Sequence, residues 1–281
     1  MTARRPLPNM SSARKLCVLA AAGLFLNTAH AGNHTGSGLD AAMQRKQLNA
    51  GIRYVEPEYK GGMKFRTPDA IDGALVQELG KRLRLPVSIT RAAPDAQAAA
   101  LAAGKADVIL AAVPDDAPIR KSATVIPLGY AVGPMAIMRS DTDIRSWPQL
   151  KGRKVCLSEG GLYAGTLAAQ YGAIEMLKRA PADSLLAVRT GECDAAVHDN
   201  TMLEELIKLP EWKKFSARLP VVAPRASLAF IVPAGDDRSA ATLTRIAKEW
   251  SASRYPDHLV AKAVRHIAFE VYLDQDAPDC H

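Results

Sequence analysis

Two stretches of this sequence repeat one arrangement. Leu101 to Ala111 (LAAGKADVILA) runs from helix-forming residues through a glycine and an aspartate into an apolar run. Leu186 to Val197 (LAVRTGECDAAV) does the same about 87 residues later, counted from Gly104 to Gly191. Glycine ends a helix in the left-handed conformation without a Cβ penalty, and the apolar run behind it reads as a buried strand. Helix-then-strand units build α/β domains with mainly parallel sheets. Two units so far apart point to two similar lobes rather than a stacked array. Such junctions recur in α/β proteins generally, so the echo alone leaves a single-lobed fold open.

The flanking segments sort themselves around these units. Gly51 to Val55 reads as a first strand, stopped by Pro57 and Gly61-Gly62. Thr67-Pro68 reads as a helix start, and Ile71, Ala74, Leu75, Leu79 and Leu83 follow helical spacing. Ala131 to Met138 and Ser227 to Pro233 are apolar runs placed to cross between lobes. Residues 32–137 and 230–281 are thus expected in lobe 1 and residues 138–229 in lobe 2, with closing helices over 237–250 and 256–273.

Residues 1–31 read as a secretory signal. Arg4, Arg5, Arg14 and Lys15 precede an apolar stretch of 11 residues, Leu16 to Leu26, and Thr28 to Ala31 (TAHA) supplies a small-x-small cleavage pattern. The apolar stretch is shorter than the roughly 20 residues a membrane span needs. Cleavage after Ala31 would place the protein in the periplasm. The net charge of +7 then falls to +3, with 32 basic against 29 acidic residues. That balance, with no basic run or aromatic-interleaved patch, gives no case for nucleic acid. The five histidines beyond residue 31 are scattered without metal-binding spacing, so no metal or other cofactor is expected. Cys156, Cys193 and Cys280 remain, an odd number in a compartment that permits disulfides.

The order of elements resembles the family 3 extracellular solute-binding proteins, the polar-amino-acid receptors of ABC importers. Leu48 to Ile52, Ile71 to Leu75, Leu101 to Asp107 with Arg120 and Pro127 to Tyr130, Leu150 to Gly160, and the GxxDAxxxD stretch Gly191 to Asp199 carry the likeness. It implies a two-lobed, type II periplasmic-binding-protein fold, each lobe a mainly parallel sheet flanked by helices, joined by two hinge crossovers. It implies a monomer that binds a small amino-acid-like or carboxylate ligand and serves a membrane permease, without catalysis. By the family's pattern Arg120 takes a ligand carboxylate and Asp199 a ligand amine, with Gly160 and Gly161 offering backbone N–H groups at the mouth of lobe 2.

Departures from the pattern matter too. Ala112 and Pro114 replace hydroxyl donors, Glu56 stands where an aromatic often covers the ligand, and Tyr54 and Tyr59 flank it. Arg53 replaces an aspartate that serves basic ligands, and Arg66 stands near the cleft side, which leans toward an acidic ligand. Two rivals stay open. One is a dehydratase on the same scaffold, for which Glu56, Glu159 and Asp199 are the candidate acids. The other is an accessory protein of a periplasmic redox system with a vestigial cleft. Taking Gly161 and Asp199 as ligand-side ends of neighbouring strands and counting back five residues sets Cys156 level with Asp194. Cys193 is then one residue away, making a Cys156–Cys193 disulfide plausible and Cys280 the odd thiol.

Overall fold

The apolar runs after Asp107 and Asp194 are both strands, each in its own five-stranded sheet. The computed structural model describes residues 38–55, 61–62, 64–221 and 226–275, all within one compact unit, Gly36–His281. The leader reading of residues 1–31, and Glu56, Tyr59 and Cys280, lie outside the described residues.

The strands are β1 (Leu48–Ile52), β2 (Val87–Arg91), β3 (Val108–Pro114), β4 (Ala123–Val132), β5 (Pro134–Met138), β6 (Lys154–Ser158), β7 (Ile174–Lys178), β8 (Ala195–Asp199), β9 (Ala217–Leu219) and β10 (Ala226–Pro233). One sheet has the order β2-β1-β3-β10-β4, the other β7-β6-β8-β5-β9. In each, the first strand pairs in parallel with the second and third, and one antiparallel strand, β10 or β5, is inserted. Both sheets are therefore mixed rather than mainly parallel, each with two parallel and two antiparallel pairs, and they share one topology.

The echo seen in sequence has a structural cause. Gly104 and Gly191 both adopt positive φ, at 63° and 79°. Asp107 Oδ2 then accepts from the Asn49 N–H at 2.8 Å, and Asp194 Oδ2 accepts from the Lys154 N–H at 2.8 Å. In each lobe the aspartate before the third strand satisfies a backbone donor at the start of the first. An orphaned donor there would be costly.

The chain changes sheet at Gly133, between β4 and β5, rather than at residue 138, and is back in the first sheet by Ala226. The run Ala131 to Met138 is thus two strands rather than one.

The helices are α1 (Gly38–Arg45), α2 (Asp72–Leu83), α3 (Gln97–Ala102), α4 (Leu167–Tyr171), α5 (Pro181–Arg189), α6 (Asn200–Leu206), α7 (Asp237–Ala252) and α8 (Tyr255–Leu273). The α2 helix begins at Asp72, not at Thr67-Pro68. Thr67 is not a cap: its N–H and hydroxyl both donate to Glu270 Oε1, at 3.0 and 2.7 Å. That bond accompanies a non-helical entry over residues 68–71. The last helix also departs from expectation. The α7 helix packs on β4, but α8 lays Val260, Val264, Ile267 and Val271 into a core that includes Met202, Leu203 and Leu206 of α6, and so packs against the second lobe's helices.

Candidate ligand-binding site

In open α/β sheets ligands bind beyond the carboxyl ends of strands where the order reverses. Here the reversals fall beside β1 and β6, and the chain segments leaving β1, β3, β6 and β8 carry Arg53, Pro114, Gly160-Gly161 and Asp199.

A cavity of about 870 Å³ opens between the lobes beside these ends. Its walls are mainly apolar, with Pro94, Val113, Ile119, Val132, Leu162 and Leu167 among them. Its charged lining groups are Arg53, Asp95 and Asp116. The two aspartates are exposed, whereas Arg53 is half-buried. Burial pulls the Arg53 guanidinium below the ordinary arginine pKa, with the charge of Asp72 opposing.

Behind Arg53 lies a group of carboxyls around a much smaller space of about 40 Å³, lined by Asp69, Asp72, Asp199 and Tyr130. Asp72 is buried, and burial pushes its pKa up to about 7, with Arg53 opposing. Asp199 is likewise raised to about 7, first by burial and then by the Asp69 charge. Its Oδ1 accepts from the Tyr163 hydroxyl at 2.5 Å. Burial, reinforced by Asp199, drives the Tyr163 pKa upward and keeps that phenol a donor. Sequence reasoning missed Asp69 and Tyr163 altogether and took in Asp72 only as part of the Ile71 to Leu75 stretch that carries the family likeness.

The glycine mouth of lobe 2 is filled by lobe 1. Gly160 has φ of 74°, and a Cβ there would stand 2.1 Å from the Tyr54 ring; at Gly161 it would stand 2.7 Å from Asp69 Oδ2. Glycine is thus demanded by the approach of Tyr54 and Asp69. Gly160→Ala should cost about 1–2 kcal/mol from the left-handed backbone alone, plus the displacement of Tyr54. Chemical unfolding measures this, and an unchanged midpoint would contradict the close approach.

Arg120 and Arg66 are engaged elsewhere. Arg120 Nε donates to the Pro114 carbonyl at 2.8 Å and Nη2 to the Val113 carbonyl at 3.2 Å, so the guanidinium is turned back on its own loop and does not line the cavity. Arg66 pairs with Asp183 at 2.7 Å and with Asp274, tying the entry to α2 to α5 and the end of α8. Glu159 is exposed.

His198, fully buried on β8, meets Asp69 Oδ1 through Nδ1 at 3.1 Å and Ser184 Oγ through Nε2 at 2.9 Å. The order Ser–His–Asp is that of a hydrolase triad, but Ser184 is fully buried and lines neither space. The chain of bonds instead ties the entry to α2 to β8 and α5. Among the described residues, no group of three or more His, Cys, Asp or Glu could hold a metal ion, and no helix is long and apolar enough to cross a membrane.

No protein-family model matches the chain. A probable amino-acid ABC transporter-binding protein of Haemophilus influenzae is 25% identical over 177 residues, covering 63% of this chain and 68% of that protein. An ancestral cationic amino acid solute-binding protein superposes with a TM-score of 0.59 at 19% identity, covering 81% of this chain and all of that one. The chain has the two-lobed solute-binding fold. An amino acid ABC transporter substrate-binding protein from Streptococcus pneumoniae, bound to L-arginine, shares that fold at a TM-score of 0.56 and 15% identity, over 81% of this chain and 98% of its own. So does an ancestral amino-acid-binding protein described as a precursor of cyclohexadienyl dehydratase, at 0.56 and 20%, over 81% of this chain and all of its own.

The solute-binding fold is held in lobe 2 by a bond between Cys156 and Cys193, with Cα atoms 5.9 Å apart. The strand register differs from the count made on sequence. Cys156 is level with Ala196, not Asp194. The turn through Glu159 and Gly160 adds two residues before Gly161, so Gly161 and Asp199 are not level. The pairing survives because Cys193 lies just ahead of β8.

Proposed function

We propose that this chain is a periplasmic solute-binding protein that captures a small carboxylate or amino-acid-like ligand between its lobes and delivers it to the permease of an ABC importer. The observation that carries this is one cavity of about 870 Å³ lined from both sheets, by Arg53 and Pro114 at the ends of β1 and β3 and by Leu162 and Tyr163 in the segment that follows β6. The relative from Haemophilus influenzae, a probable amino-acid ABC transporter-binding protein, supports the transport role. The leader-like residues 1–31 and the Cys156–Cys193 bond support export. On this reading lobe 1 comprises residues 32–132 and the return from residue 226 through α7, lobe 2 the segment between them with α8 packed on its helices, and the protein acts as a monomer.

Binding rather than catalysis is favoured by where the titrating carboxyls sit. A general acid must reach the reacting atom, and Asp72 and Asp199 line the small space behind the cavity rather than the cavity itself.

Thermal-shift measurements against amino acids, dicarboxylates and cyclic or aromatic acids test the proposal. A cognate ligand at about 100 times its Kd should stabilise the folded state by about 2.7 kcal/mol. No saturable shift with any of these classes would count against a solute receptor.

A further inference from the structure

Arg53 is singular among the charged groups at the cleft. It is half-buried, it lines the large cavity, and its guanidinium makes no hydrogen bond or ion pair among the described residues. The carboxyls nearest it in charge, Asp72 and Asp199, influence it electrostatically without an ion-pair contact. An arginine carries five donors in a planar fork, and a partly desolvated one without an acceptor is poised for an anion that the protein does not supply.

The surroundings of Arg53 restrict that anion. The groups that would hold an α-amino acid in the implied pattern are already taken: Arg120 by the Pro114 and Val113 carbonyls, the glycine mouth by Tyr54 and Asp69, and Asp199 by Tyr163. Only about 40 Å³ remains beside Asp199. The open volume lies on the other side of Arg53, where Leu162, Leu167, Ile119, Val113 and Tyr171 present apolar and aromatic surface. Among the described residues the chamber offers one half-buried cation and no buried anion to receive an ammonium.

We propose that the ligand is an anion with a bulky apolar body, an aromatic or medium-chain monocarboxylate, whose carboxylate is held by Arg53 while its body fills the apolar chamber. This rests on the solute-binding reading above and narrows its ligand class. The carboxylate and guanidinium fit as two parallel charge-assisted hydrogen bonds, and burying the body adds a favourable term proportional to its apolar area.

The test is titration calorimetry on the whole protein with 4-phenylbutyrate and octanoate, their neutral alcohols 4-phenylbutanol and octanol, and L-arginine and L-glutamate. The acids should bind saturably with a negative heat-capacity change, the mark of apolar burial. The alcohols should bind about 30-fold more weakly or worse, the scale expected for losing one partner of a desolvated charged pair. Arg53→Gln should erase the preference of acid over alcohol, measured at pH 5, where Asp72 and Asp199 are protonated with or without the Arg53 charge. Ala98→Trp, which adds bulk to the chamber and leaves Arg53 in place, should weaken acids and alcohols alike. Tight binding of an amino acid that depends on Asp199 and is indifferent to Arg53→Gln would overturn this inference yet leave the receptor role standing. Binding of none of the six compounds overturns the inference, and the receptor role is then judged on the wider thermal-shift set alone. Acid preference that persists in Arg53→Gln would also overturn it.

Discussion

Asp72→Asn is expected to raise the stability of this protein at pH 8 and to change it far less at pH 4, with Asp199→Asn behaving the same way. Burial raises both carboxyl pKa values from the ordinary 3.8 to about 7. Below the unfolded value both states are protonated, and the stability each group contributes is fully present. Between about 4 and 7 the folded state keeps a proton that the unfolded chain has released, so stability falls as pH rises. Above about 7 the loss is complete. At 1.36 kcal/mol per pKa unit, a shift of roughly three units corresponds to about 4 kcal/mol for one such group. The two are coupled, because the charge on Asp72 further raises Asp199, so their effects will not simply add. The carboxyls held low by ion pairs, Asp274 beside Lys64 and Arg66, Asp141 beside Arg139 and Glu249 beside Arg245 and Arg82, act in the opposite sense but only at the acid edge of this window and below it. Urea unfolding between pH 4 and 8 measures the effect. The natural chain should lose several kcal/mol across that range and each variant should flatten the curve. A flat profile for the natural chain would contradict the assignment.

Breaking the Cys156–Cys193 bond should be the other large effect. It closes a sequence separation of 37 residues between β6 and the start of β8. The chain-entropy model gives about 3–4 kcal/mol for a loop of this size, which in a protein this large is a fall in Tm of roughly 10 °C. The double variant Cys156→Ala, Cys193→Ala and the reduced natural protein should melt alike. If reduction leaves the midpoint unchanged, the bond is not holding lobe 2 together. Peptide mapping that pairs Cys280 with either residue would remove the assignment itself.

What was legible in the sequence, and what was not, divides by range. The junctions at Gly104 and Gly191 could be read because a left-handed helix stop and the apolar run behind it are local signals, although the aspartates between them bond to Asn49 and Lys154 far away in the chain. The α7 and α8 spans were legible for the same reason, from period and end signals. Contacts across lobes left no such trace. Tyr54 on Gly160 and Asp69 on His198 join residues over 100 positions apart, and nothing near Pro68 in sequence announces that Asp69 enters lobe 2. Thr67-Pro68 carries a good cap signal, yet Glu270 from α8 competes for the same donors and wins. Arg120 shows a different limit. Its position in the chain fits a ligand arginine, but the proline-rich turn from Pro114 to Pro118 leaves carbonyls facing it, and they take the guanidinium first. Arg53, read on sequence as replacing an aspartate that serves basic ligands, stands just past the end of β1 with no hydrogen bond or ion pair among the described residues.

The interlobe cavity should take up a small ligand reversibly and leave it unchanged. Titration calorimetry with the best ligand from the thermal-shift set, followed by chromatography of the recovered compound, tests this most directly. One ligand per chain should bind, with the compound returned intact after long incubation. Conversion of the compound, or heat without saturation, would contradict the account.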